Sequence, residues 1–156
     1  MNLGIFTLKD PVAGAAEMFR VLKPGGYAVV TTWKTRRAAE VLQGAVDSIR
    51  PNGGLRPMYM APEWLTKDKP LSVMEAGGFF SGHIQVIDSS PNWECGSEEG
   101  IVEALSSPMW TAKLWEEWSA DEIGRWGDEI RRQLRGEEKE TGILEMSAWI
   151  CIAQKV

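Results

Sequence analysis

Eight tryptophans in 156 residues are the strongest chemical signal in this sequence, and six of them lie beyond residue 90. An indole supplies a broad apolar face and one N–H donor, which suits it to line a pocket for an apolar molecule. Trp33, Met58, Tyr59, Met60, Trp93, Met109 and Trp115 are the candidate substrate-binding side chains, a Trp/Met-lined set of the kind that encloses small apolar ligands. Trp110, Leu114 and Trp118 recur at helical spacing and read as packing, whereas Trp115 falls on another face. Trp33 closes an apolar strand run, where a side chain either lines a ligand crevice or plugs it. For proton transfer the candidates are His83, Glu63, Asp88 and Glu94. His83 is the lone histidine, the side chain that titrates nearest neutrality, but its place at the start of a strand reads as surface. The three carboxylates lie in or beside loops, where they could orient a polar group of a substrate. One histidine, two cysteines and no CxxC give no metal-ligand pattern, and there is no nucleophile elbow or Ser/His/Asp arrangement.

Alternating strands and helices must position these residues. Residues 2–6 read as the end of a buried strand. Asp10-Pro11 is a helix start, because Asp caps and Pro fits the first turn. Val12, Ala15, Ala16, Phe19 and Leu22 then recur at helical spacing up to the stop Lys23-Pro24-Gly25-Gly26. Residues 27–33 form a buried strand and 36–49 a second amphipathic helix ended by Pro51-Asn52-Gly53-Gly54. Residues 55–68 are irregular, 70–76 are helical up to a Gly77-Gly78 stop, and 83–88 are a strand. Residues 89–140 read as a helical insert: a short helix at 101–105, a helical face through Trp110 and Trp118, and a capping box at Ser119–Glu122. A last amphipathic helix carries Ile123, Trp126, Ile130 and Leu134. A polar loop at 136–142 leads into one long closing strand at 143–155. The order argues for an α/β layer structure in a single domain, 1–156.

Composition narrows the partners. A net charge of −5, with Arg131, Arg132 and Arg135 facing Glu137, Glu138 and Glu140, reads as a solvated helix end and excludes a nucleic-acid surface. No stretch approaches about 18 apolar residues, so no membrane helix is expected. Cys151 sits in an apolar run and Cys95 in a polar loop, so no disulfide framework is expected and a cytoplasmic setting follows.

The run Arg20-Val21-Leu22-Lys23-Pro24-Gly25-Gly26, followed by Tyr27-Ala28-Val29-Val30, resembles the signature that links strand four's helix to strand five in class I S-adenosylmethionine-dependent methyltransferases. Glu75-Ala76-Gly77-Gly78-Phe79 resembles the segment before that family's strand six. The resemblance covers essentially the whole chain. It implies the C-terminal half of the fold: a partial Rossmann-like sheet, strands four to seven, with 89–140 as a lid over the acceptor. Asn2, Gly4 and Phe6 would then lie beside the cofactor if a partner completed its site.

The family's glycine-rich turn after strand one, and the acidic residue after strand two, have no counterpart in these residues. By this chain alone no cofactor is expected. An apolar strand edge at residues 2–8, and the layer it would uncover, predict a homodimer or a partner chain there. Three readings stay open. The favoured one is a cofactor-independent enzyme that folds an apolar metabolite into a reactive shape and promotes cyclisation or isomerisation. The alternatives are a methyltransferase half, using S-adenosylmethionine once completed by a partner or dimer, and a non-catalytic binding subunit.

Overall fold

The computed structural model of the chain describes residues 1–51 and 60–156; Met58 and Tyr59 lie outside the described residues. The fold is mixed α/β with small antiparallel sheets. Where the sequence reads as one domain, the chain divides into two compact units. The first comprises Met1–Thr35, Met60–Pro91 and Ser147–Val156, and the second Arg36–Tyr59 and Asn92–Met146.

In the first unit, helix α1 (Pro11–Val21) begins as its sequence requires, with Asp10 Oδ1 accepting from the Ala13 N–H at 2.9 Å. At its other end Lys155 Nζ donates to the carbonyls of Phe19 and Leu22, at 2.8 and 2.9 Å, and lies over the Phe19 ring. A cation there satisfies helix-end carbonyls and complements the helix dipole. Strand β1 (Tyr27–Arg36) follows. Helix α3 (Asp68–Ala76) ends in a Schellman motif: the Gly78 N–H donates to Glu75 O, the Phe79 N–H donates to Met74 O, and Gly78 takes φ +105°. Strand β2 (Ile84–Ser89) pairs antiparallel with β5 (Met146–Gln154), from Ile84 opposite Ala153 to Ser89 opposite Ala148. The sheet order is β1-β5-β2. The Gly25 N–H donates to Lys155 O and the Lys155 N–H to Gly26 O at one end of the β1–β5 ladder, and the Arg37 N–H donates to Glu145 O at the other, so this pair is antiparallel too.

One face of this sheet is core. Ala28, Val30, Cys151 and Ala153 are at most 6% exposed and pack with Ile5, Met60, Trp64, Met74 and Phe79. The other face is open: Tyr27 is 60%, Val29 43% and Ile87 40% exposed.

Two expectations in this unit fail. Residues 2–6 are not a strand. Met1 alone lies along β1, its ammonium donating to Val29 O while the Thr31 N–H donates to Met1 O, which is the bonding pattern of a parallel bridge. Leu3 then takes φ +47° with its N–H on Thr31 Oγ1, and a 3-10 turn, Ile5–Thr7, drops Ile5 into the core. The partial sheet thus has three strands instead of four. The long closing strand is also broken, at Glu145. Its first piece, β4 (Ile143–Leu144), pairs with β3 (Trp93–Glu94) in a separate two-stranded sheet.

The second unit is helical around that small sheet. Helix α2 (Arg37–Ile49) buries Ala38, Val41, Leu42, Ala45, Val46 and Ile49, one face at 3.6-residue spacing. Helices α4 (Glu98–Leu105), α5 (Pro108–Thr111), α6 (Ala120–Gly124), α7 (Trp126–Gln133) and α8 (Gly136–Thr141) follow. The capping box forms as spelled: Ser119 Oγ accepts from the Glu122 N–H while Glu122 Oε2 accepts from the Ser119 N–H. The helix expected through Trp110 and Trp118 is instead α5 and a 3-10 turn, Trp115–Glu117. The loop expected at 136–142 is helix α8, closed by Gly142 at φ +67°. The expected insert, 89–140, falls largely in this unit and shares it with α2.

Candidate functional site

The second unit gathers three indoles. Trp126 opens α7 and is 2% exposed; Trp118 precedes the α6 cap and is 9% exposed. Trp118 and Trp115 both meet Trp126 edge-to-face, with ring centroids 5.6 and 6.1 Å away. Arg50, at the end of α2, holds one side of the cluster. Its guanidinium lies over the Trp118 ring, forks onto the Glu122 carboxylate at 2.7 and 3.0 Å, and donates to the Glu117 carbonyl. The Arg50 fork, with the Ser119 backbone N–H, pulls the Glu122 pKa down to about 2.

The indole donors are unequal. In the first unit the half-buried Trp149 donates its Nε1–H to Leu65 O at 2.8 Å. Among the described residues, the Nε1 atoms of Trp115 and Trp126 are buried without a hydrogen-bond partner. A buried donor left unmatched costs about 1–3 kcal/mol, so two in one cluster call for a physical reason.

The residues picked from the sequence do not converge on one point. Met60 is 7% exposed in the first unit's core, and Trp33 packs half-buried against that core. Trp93 meets Trp110 at 6.3 Å in the second unit, and Met109 is 80% exposed on α5. His83 is exposed in a 3-10 turn, Ser81–His83, with its ring 5.8 Å from Phe80; the strand expected to start there begins one residue later, at Ile84. Glu63 is exposed in the 3-10 turn Pro62–Leu65. Asp88 is held by Lys34 Nζ at 2.6 Å, which lowers its pKa. Glu94 stands exposed on β3. Of the cofactor-side candidates, Asn2 Oδ1 accepts from Thr31 Oγ1, Gly4 lies against the Met1 side chain, and Phe6 packs on Trp64 at 6.2 Å.

The second unit also holds a cavity of about 270 Å3, lined by Asn92, Arg135, Glu137, Glu138, Thr141, Ile143 and Glu145, none of them an aromatic of the expected pocket. Beside it the charge run departs from a solvated helix end. Glu138 is buried and takes a two-point fork from Arg37, at 2.5 and 3.0 Å, plus the Arg135 N–H. Burial alone would raise the Glu138 pKa; the Arg37 and Arg135 donors outweigh it and lower it. Glu129 is buried too, paired with Arg132 and Arg125. Reading the sequence misses Arg37 and Glu138 because they lie 101 positions apart and nothing local marks the pair.

Among the described residues no cluster of His, Cys, Asp or Glu could hold a metal ion, and no helix is long and apolar enough to cross a membrane. No protein-family model matches the chain.

Proposed function

We propose that the chain supplies the acceptor side of an S-adenosylmethionine-dependent methyltransferase, whose cofactor-binding side comes from polypeptide outside these 156 residues or from a second copy. The observation that carries this reading is the open sheet face. Tyr27, Val29 and Ile87 stand 60, 43 and 40% exposed on one side of a sheet whose other side is closed core. A sheet apolar on both faces reads as a middle layer awaiting its second cover. Two further features support it. The order β1-β5-β2, antiparallel throughout, is the order of strands five, seven and six in the family that the Arg20–Gly26 run resembles. Met1 bridges to β1 on its free edge, on the side of that family's strand four.

In this reading the partner covers the open face and the free edge of β1 beside Met1 and brings the glycine-rich turn, while the tryptophan cluster belongs to the acceptor. The chain's own part is to bind and orient the acceptor and exclude water from it. The test is calorimetric titration of S-adenosylmethionine, with molecular mass measured alongside. It is applied to this chain and to a longer polypeptide carrying a glycine-rich strand–turn–helix upstream. Micromolar binding by the longer polypeptide, or by a dimer of this chain, supports the reading. Binding by neither, in folded protein, overturns it and returns the aromatic cluster to cofactor-independent cyclisation or isomerisation, or to binding alone.

A further inference from the structure

The Trp115–Trp118–Trp126 cluster carries a feature that packing does not explain. Tryptophan fills a core as well as phenylalanine does, but it brings a donor that must be satisfied. Trp149 satisfies its donor on Leu65 O. Trp126 is 2% exposed with its donor unmatched, and the buried Nε1 of Trp115 is unmatched as well. Their rings meet edge-to-face with centroids 6.1 Å apart, so the two unmatched indoles are direct neighbours.

The segment bearing Trp115 is made of short elements. It is built from the four-residue α5, a turn and a three-residue 3-10 turn, and Met109 within it is 80% exposed. The opposite side is held: Trp118 lies under Arg50, which Glu122 and the Glu117 carbonyl pin in place. A pinned wall and two unmatched donors in an aromatic cluster favour a flat aromatic guest carrying a hydrogen-bond acceptor.

We propose that Trp115 and Trp126 form a binding site for an aromatic molecule bearing a carbonyl-type oxygen, which accepts from their indole N–H groups while its ring packs on the cluster. This deepens the function proposed above by naming the chemistry of the acceptor molecule. It rests on that reading only for what happens to the guest once bound.

The test uses the whole chain without S-adenosylmethionine, so its failure is separable from failure of the methyl-transfer reading. Indole N–H resonances are followed in 15N-labelled protein, with Trp115 assigned through Trp115→Phe. Two probes of matched shape are titrated: 1-acetonaphthone, which carries the oxygen, and 1-ethylnaphthalene, which does not. The expected result is a downfield shift of the Trp115 and Trp126 indole protons with the ketone alone, and binding at least tenfold tighter for the ketone. Trp115→Phe should remove most of that preference while still binding the hydrocarbon. Equal affinity for the two probes, unmoved indole signals, or indole protons that exchange with water as fast as exposed ones overturns the proposal. Trp126→Phe is a second variant; if it does not fold, the probe pair on the unaltered chain still decides.

Discussion

Replacing Arg37 with alanine should cost the second unit about 3–5 kcal/mol, the range found when one partner of a buried ion pair is removed. The structure sets that size. The two side chains are only 12 and 7% exposed, and the guanidinium makes two bonds to Glu138, at 2.5 and 3.0 Å, and one to Gln133 O at 2.6 Å. With charge centres about 4 Å apart and an effective dielectric near 20, the lost attraction alone is about 4 kcal/mol. What remains is a buried carboxylate with the Arg135 N–H, at 2.7 Å, as its hydrogen-bond donor. That loss is a large fraction of a typical domain's ~5–15 kcal/mol. Urea unfolding followed by tryptophan emission should move its midpoint down by roughly 1–3 M at unchanged slope. The double replacement Arg37→Met with Glu138→Leu removes both charges and keeps apolar volume, so it should recover most of the loss. An Arg37→Ala cost under about 1 kcal/mol refutes the reasoning. So does a double variant whose cost equals the sum of the two single ones, since a coupled pair must depart from additivity.

Three further outcomes are expected. Gly142→Ala should destabilise by more than about 2 kcal/mol, because it adds a left-handed penalty to a clash with the Ser97 backbone nitrogen, whereas Gly136→Ala, with nothing within 4 Å of the added carbon, should change the melting temperature little. Glu122, held at about 2 in the fold against an ordinary 4.5, contributes stability that is full above pH 4.5 and lost as pH falls toward 2. Urea midpoints across that window should therefore fall more steeply for the unaltered chain than for Glu122→Gln, and parallel slopes would discard the Arg50–Glu122 clamp. Burial pushes the Cys151 thiol up to about 11, so in native protein a disulfide reagent should label Cys95 well before Cys151; simultaneous labelling contradicts the core placement of β5.

Local signals were legible in the residue order wherever the physics is local. Asp10-Pro11, the Ser119–Glu122 box and the Gly77-Gly78 stop formed as read, because a cap needs only residues three or four positions apart. The apolar stripes of α1 and α2 placed helices within a residue or two for the same reason, whereas the single helix expected through Ile123, Trp126, Ile130 and Leu134 breaks at Arg125 into α6 and α7. Tertiary partners decided the rest. Residues 2–6 have a strand's composition, but a strand exists only where a neighbour accepts its ladder, and Leu3 turns the chain away after Met1 has bridged to β1. Residues 143–155 have one continuous β pattern, yet β3 claims its start and β1 with β2 claim the remainder, so the strand breaks at Glu145. Polarity misled most at Glu138, which reads as a solvated charge until an arginine 101 positions away buries with it. The tryptophan content was plain in the sequence. Which indoles meet, and which two donors stay unmatched, depends on distances between helices that no local spacing encodes.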